Sequence, residues 1–118
     1  MAEAGLYLGW GTVARGREKA ALAIFNESVQ YYGRLQQEGK IASFDVAFLN
    51  PTGGDAGGFF LLRGTAQQID SIQRDEEYQE LLVRVQLIVE GLRITDAVVD
   101  ERIAQQIARY EKAVAQIA

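Results

Sequence analysis

The sequence predicts a single α+β domain in which helices cover one face of an antiparallel sheet. Three observations support this prediction. The chain has 118 residues, 48% of them hydrophobic and 24% charged, which suits one globular core spanning residues 1–118. Segments in which apolar and polar residues alternate are interleaved with longer segments whose apolar residues recur every three or four positions. Glycines and capping residues separate these segments, as turns between strands and helices require.

The first strand is expected over residues 6–14. Its residues alternate between two faces, with Leu6, Leu8, Trp10 and Thr12 on one and Tyr7, Gly9, Gly11 and Val13 on the other. Gly9 and Gly11 remove two side chains from the Tyr7 face, which predicts a space there that either a packed helix or a ligand occupies. If the chain has a binding pocket, we expect it in this space.

A long amphipathic helix over residues 17–38 and a β-hairpin are expected next. Gly39 is placed to end the helix, because glycine readily adopts the left-handed conformation that follows many helices. Alternation returns over residues 41–49 and 59–63, and the turn-forming residues 50–58 join these two strands. The predicted inner face of the helix consists of Ala21, Ile24, Phe25, Ser28, Tyr31, Tyr32 and Leu35.

The second half of the chain predicts two further helical pieces, a strand and a closing helix. Thr65 and Gln68 have the spacing of a capping box, so a helix is expected directly after Thr65. A polar run predicts a break near Asp75, and alternation over residues 92–99 predicts the fourth strand. Asp100 is expected to cap the closing helix. Apolar residues step by four and three along that helix: Ile103, Ile107, Tyr110, Val114 and Ile117.

The predicted order, β-α-β-β-α-β with an extra C-terminal helix, is the split β-α-β or ferredoxin-like arrangement. In that arrangement two helices cross behind a four-stranded antiparallel sheet, and the other face of the sheet is left open. Apolar residues occupy both faces of the second, third and fourth strands, so the open face needs cover. We therefore expect a homodimer whose sheets pack face to face.

Charge and composition exclude several functional classes. The formal net charge is −4, which gives no basic surface for nucleic acid or an anionic membrane. The chain has no histidine and no cysteine, so the usual neutral-pH base, zinc ligands and haem ligand are missing, and we expect no metal site and no cofactor. No apolar run approaches the ~20 residues of a membrane span, so a cytoplasmic location is expected.

The element order and one long segment resemble the dimeric α/β-barrel superfamily of ferredoxin-like proteins. The segment is GGFFLLRGTAQQIDSIQRDEEYQELLVRVQLIVEGLRITDAVV, in which a strand, a capped helix, an acidic break and a final strand follow one another. The superfamily includes antibiotic-biosynthesis monooxygenases, YCII-related proteins, stress-responsive barrel proteins and uncharacterised bacterial members. The resemblance implies the fold and dimerisation. Haem-dependent and histidine-dependent activities are not implied, because this chain has no histidine.

Ionisable and aromatic residues inside the predicted strands are the candidate functional groups. Asp45 and Arg63 are expected on one face of the hairpin, either as a cross-strand salt bridge or as charges in a pocket. Trp10 is the only tryptophan, and it is expected either in the core or dimer interface or stacked on a substrate.

Two functions follow as hypotheses. The first is a module that binds a small apolar or aromatic ligand between sheet and helices, lined by Tyr7, Tyr31, Tyr32 and the gap at Gly9 and Gly11. The alternative, implied by the resemblance, is a cofactor-independent monooxygenase acting on an aromatic substrate. In that case Trp10, Asp45 and Arg63 would position and polarise the substrate.

Overall fold

A computed structural model describes residues 3–50 and 55–118 of the chain. The described residues form a four-stranded antiparallel sheet with strand order β2-β3-β1-β4, together with four helices. This is the predicted ferredoxin-like fold. The elements are β1 (Ala4–Trp10), α1 (Glu18–Gln37), β2 (Ser43–Phe48), β3 (Gly58–Gly64), α2 (Ala66–Gln73), α3 (Glu76–Gln86), β4 (Arg93–Val98) and α4 (Arg102–Ile117).

The core lies between the sheet and helices α1, α2 and α3. In the register of the central strands, Leu6 pairs with Leu62 and Leu8 with Phe60, and all four side chains point toward the helices and are buried. The helices supply the other half of the core with Tyr31, Tyr32, Leu35, Ile69, Ile72, Tyr78 and Leu81. The opposite face of the sheet is covered by no helix of the described chain, so the sheet has a helix-covered face and an open face.

The local signals that divide the helices act as predicted. The Thr65 hydroxyl accepts a hydrogen bond from the Gln68 backbone N–H, and the Gln68 side chain accepts one from the Thr65 backbone N–H. These two bonds satisfy donors that a helix start otherwise leaves unpaired. The break between α2 and α3 falls at Asp75, and Gly39 adopts a positive φ of 72° after α1.

Two predicted boundaries are wrong. The first strand ends at Trp10 instead of residue 14, because the Gly11 N–H and the Thr12 carbonyl bond to the backbone of Glu90 in the segment before β4. Asp100 does not cap the closing helix: its φ is 52° and α4 begins only at Arg102. Of the predicted hairpin loop, residues 51–54 lie outside the described residues.

Helix α4 stands apart from this core. It contains no buried residue, whereas α1, α2 and α3 each bury at least two. The radius of gyration is 16.3 Å, against about 13.5 Å expected for a compact chain of this length. The chain is therefore a compact body with a projecting C-terminal helix. None of the helices within the described ranges is long and apolar enough to cross a membrane.

Candidate functional site

The strongest candidate site is an apolar pocket of about 260 Å³ between the sheet and α1, which we call the Trp10 pocket. It lies at the end of the sheet where β1 and β2 finish, beside the first half of α1. Four aromatic rings line it, from Trp10, Phe25, Phe48 and Phe60. Aliphatic side chains complete its wall, among them Leu22, Val85, Ile88 and Val89.

The aromatic rings of the Trp10 pocket form one connected cluster. The Trp10 ring meets Phe25 and Phe48 edge-on, each with 6.2 Å between ring centroids, and Phe25 lies 4.9 Å from Phe48. Phe60 closes the inner side, with its centroid 5.7 Å from both Trp10 and Phe25. Edge-on and tilted pairs at these separations are the arrangement that aromatic quadrupoles favour.

Phe48 differs from the other rings of the cluster because it is 69% exposed. It is the last residue of β2, an edge strand, so no neighbouring strand covers it on one side. A molecule that entered the pocket would bury part of this ring, and an apolar ligand would gain the corresponding hydrophobic free energy.

Two side chains with a carboxylate or hydroxyl border the Trp10 pocket, and both already have partners. The Ser28 hydroxyl is buried and donates to the Ile24 backbone carbonyl at 2.8 Å. The Glu18 carboxylate accepts from the Gly16 backbone N–H at 3.2 Å. The pocket therefore offers a ligand apolar surface and aromatic faces, without a facing acid and base.

The predicted site residues are divided by the sheet. Tyr31 and Tyr32 lie in the core beneath the helices, where each is 2% exposed. The Tyr31 hydroxyl donates to the Asp75 carboxylate at 2.5 Å, which ties α1 to the start of α3. Burial, reinforced for Tyr31 by this hydrogen bond, raises the pKa of both phenols above its ordinary value. These two tyrosines pack in the core and do not line the Trp10 pocket.

Tyr7 and Gly9 lie on the open face, so they cannot line one pocket with Tyr31 and Tyr32. The space over Gly9 is filled by Tyr7 itself: a Cβ on Gly9 would come within 2.5 Å of the Tyr7 hydroxyl oxygen. The Tyr7 ring stacks on Phe59, with centroids 5.6 Å apart. The Tyr7 ring, and not a packed helix, therefore fills the space above Gly9. The pocket expected on this face stays a prediction.

Gly11 is required for a different reason than predicted. It lies beyond the end of β1, and a Cβ there would fall 2.7 Å from the Asp55 carbonyl oxygen and 2.8 Å from that of Glu90. The absence of a side chain at Gly11 thus lets the backbone at Asp55 and the backbone at Glu90 come close to the end of β1. Gly9 and Gly11 do border a depression of about 250 Å³ together with Tyr7 and Trp10, and its rim carries charged side chains.

Asp45 and Arg63 form the salt bridge that was one of the two predicted alternatives. Asp45 pairs in register with Leu61, and Arg63 with Ser43, so the two charges are diagonal neighbours on the open face. Arg63 donates to the Asp45 carboxylate and lies 3.7 Å from Asp100, Nε to Oδ1. The hydrogen bond to Asp45 raises the pKa of the Arg63 guanidinium. Trp10 points to the helix-covered face, so it does not meet this pair.

Sequence reasoning placed Phe25 on the inner face of α1 and Phe48 on an alternating strand, but it did not bring them together. Their meeting depends on how the first turns of α1 lie over the end of β2. The available signal was one aromatic residue of this cluster in each of four predicted elements.

Fold comparisons agree with this architecture. The sequence matches no protein-family model, and no curated protein matches it. A dimeric protein of unknown function and ferredoxin-like fold from Bacteroides fragilis superposes with a TM-score of 0.60 at 9% identity, covering 81% of this chain and 96% of that one.

Two further solved structures have the same fold. SnoaB, a cofactor-independent oxygenase from Streptomyces nogalater, gives a TM-score of 0.55 at 9% identity, with 85% of this chain and 96% of that one covered. A candidate antibiotic biosynthesis monooxygenase from Chloroflexus aurantiacus gives 0.54 at 15% identity, with 82% and 93% covered. At these identities the likeness concerns the fold, which is ferredoxin-like.

Proposed function

We propose that the protein is a homodimer that binds a small, neutral apolar or aromatic molecule in the Trp10 pocket. The observation that carries the proposal is the group of four aromatic rings on the wall of an apolar pocket between sheet and helix. Protein ligand sites are most often concave and mainly apolar, with few polar groups.

The pocket's size and chemistry define the ligand class. Its volume of about 260 Å³ is just under the ~300 to 1,000 Å³ usual for ligand sites, which favours a molecule of one or two rings. An anionic ligand would lose its hydration against aliphatic walls, and neither Ser28 nor Glu18 offers it a cationic partner.

The open face of the sheet supports the homodimer. Tyr7, Phe59 and Leu61 form a half-exposed apolar strip along its two central strands, flanked by Ala47 and Ala97. Sheets commonly bury such a face against a second layer. The Bacteroides protein of the same fold is described as dimeric. A second copy of this chain is the layer that we propose for the open face.

The oxygenase alternative has less support from the geometry. Two proteins of the same fold are described as oxygenases, one of them cofactor-independent. In this chain, however, Trp10 lines the pocket whereas Asp45 and Arg63 lie on the opposite face of the sheet. The three residues cannot act on one substrate within a protomer, so we propose binding.

Fluorescence of Trp10, the only tryptophan, tests the proposal directly. Titration with naphthalene and 1-naphthol should change its emission and saturate, whereas naphthalene-2-sulfonate should bind much more weakly. Phe48→Ala should lower the affinity roughly 10-fold or more through lost contact area and ring pairing. Val46→Ala, on the same strand but outside the pocket, should leave the affinity unchanged. Absence of saturable binding, or equal affinity in the Phe48 variant, contradicts the proposal.

A further inference from the structure

Helix α4 carries a regular apolar stripe that its own chain leaves uncovered. The five residues of the stripe are between 44% and 85% exposed. At 100° per residue they fall within an arc of roughly 80° on one side of the helix. The stripe consists of Ile103, Ile107, Tyr110, Val114 and Ile117.

The polar side of α4 is the side that faces the body of the protein. Arg102, Gln106 and Arg109 border a gap of about 320 Å³ whose other walls include Asp70 and Asp96. These three residues lie about 90° around the helix from the centre of the apolar stripe. The cationic side of the helix therefore faces α2 and β4 across this gap, and the stripe is turned away from the core.

We infer that the α4 stripe packs against a second copy of this chain, as part of the homodimer that we propose. Area is the first reason. The open face of four strands measures about 20 Å by 20 Å, roughly 400 Å². A stable interface buries about 800 Å² per partner and seldom less than ~600 Å². The 16 residues of α4 add a stripe about 24 Å long and ~10 Å wide, which brings each protomer to roughly 650 Å².

Charge is the second reason. Helix α4 contains three cations, Arg102, Arg109 and Lys112, against the single carboxylate of Glu111, a net charge of +2. The whole chain carries −4, so −6 remains on the rest of it. Because Arg102 and Arg109 face their own protomer, they act at long range: the positive charge of α4 offsets part of the repulsion between two chains of net charge −4 and so favours their encounter.

The spacing of the stripe also favours a protein partner over a membrane surface. The apolar residues of α4 follow one another at steps of four and three positions, which gives a narrow stripe. A narrow stripe of this spacing is typical of a helix that packs against another protein. A helix that lies in a membrane interface presents a broader apolar face.

Sedimentation equilibrium of the full chain tests this inference with two matched double variants. Ile107→Glu with Val114→Glu places two carboxylates on the stripe. Ala108→Glu with Ala115→Glu places two on the far side of the same helix, where both residues are exposed. The stripe variant should raise the dimer dissociation constant about 100-fold, and the control should change it less than about 3-fold. Because α4 buries no residue, both variants should keep the thermal midpoint of the monomer.

A third variant separates this inference from the proposed sheet interface. Leu61→Arg introduces a charge on the open face and leaves α4 unchanged. If Leu61→Arg dissociates the dimer and the stripe variant does not, the sheet interface stands and the α4 inference is overturned. If only the stripe variant dissociates it, α4 is the contact and the sheet interface fails. A wild-type monomer that floats with vesicles of phosphatidylcholine and phosphatidylglycerol overturns the inference and assigns the stripe to a membrane surface.

Discussion

Helices α1 and α4 have similar sequence patterns and opposite surroundings. Each has apolar residues at steps of three and four, yet α1 buries five residues and α4 none. Helix α1 lies over the sheet and is also joined to α3 by ion pairs, Arg34 to Glu77 at 2.6 Å and Arg84 to Glu27. Helix α4 follows β4 in the chain, and the helix-covered face of the sheet is already occupied by α1, α2 and α3. Periodicity thus predicts that a helix has an apolar face, but it does not predict whether that face packs within its own chain.

The sharpest test of this difference is a pair of alanine substitutions, one in the apolar face of each helix. Leu35→Ala in α1 removes a side chain that is 4% exposed, so it should lower the free energy of unfolding by about 2 to 5 kcal/mol. Ile107→Ala in α4 removes one that is 53% exposed. In dilute, monomeric protein it should change that free energy by less than about 0.5 kcal/mol.

Urea unfolding at submicromolar concentration measures both changes. Equal losses in the two variants would mean that α4 is packed within its own protomer. If Ile107→Ala instead lowers the free energy of unfolding more at higher protein concentration, the stripe is buried in the dimer and not within its own protomer.

Alkaline pH should weaken the layer beneath α1 and α3. Burial raises the pKa of Tyr78, a core residue, to about 12. The corresponding value in an unfolded chain is about 10, so the neutral phenol stabilises the fold. Because the pKa is higher in the folded state, the contribution of the neutral phenol to the free energy of unfolding is complete below pH 10. It is lost as the pH rises to about 12. For Tyr78 it amounts to roughly 3 kcal/mol.

Urea midpoints measured between pH 8 and pH 11.5 test this contribution. Wild-type stability should fall steeply above pH 10, and Tyr78→Phe should fall less steeply because it has one titrating group fewer. An identical slope in the two proteins would show that Tyr78 is not protected from ionisation in the fold.

The starts of α2 and α4 give a smaller contrast. Thr65→Ala breaks the capping box of α2 and should cost about 1 kcal/mol. Glu101 occupies the corresponding position before α4 but makes no side-chain capping bond. Glu101→Ala should therefore change the thermal midpoint little. A drop at Glu101 as large as that at Thr65 would indicate that the start of α4 is held more firmly than its contacts suggest.

The smallest effect is expected on the open face. Asp45 and Arg63 are 58% and 25% exposed, and ion pairs at such sites contribute about 0.2 to 1 kcal/mol. A double-mutant cycle with Asp45→Asn and Arg63→Gln should give a coupling energy in that range in the monomer. If a second copy covers the open face, the coupling should rise in the dimer and depend less on salt. The same small coupling in both states would argue against burial of this face.

Most of the fold could be predicted from local signals. The capping box at Thr65, the break at Asp75 and the stop at Gly39 depend on a few neighbouring residues. Chemistry of this kind is visible in sequence. The sheet faces also followed from alternation, which placed Trp10 and Tyr7 on opposite sides as observed.

The candidate site was harder to predict because it depends on packing across elements. Nothing in the sequence near Gly9 shows that the Tyr7 ring folds back over it. Likewise, Phe25 and Phe48 are 23 positions apart in the chain, and their contact depends on where α1 crosses β2. The end of β1 was misjudged for the same reason, since Gly11 bonds to Glu90. Residues far apart in sequence decide each of these features.

The turn at Asp100 has a consequence for how this protein can change over time. Its φ of 52° is a left-handed conformation that costs a residue other than glycine about 1 kcal/mol, and the nearby Arg63 side chain offers it an ionic partner. The direction in which α4 leaves the sheet depends on this residue, which is exposed. Substitutions at one exposed turn can therefore re-aim a 16-residue arm while the domain folds as before. Selection can therefore act on the direction of α4 without changing how the domain folds.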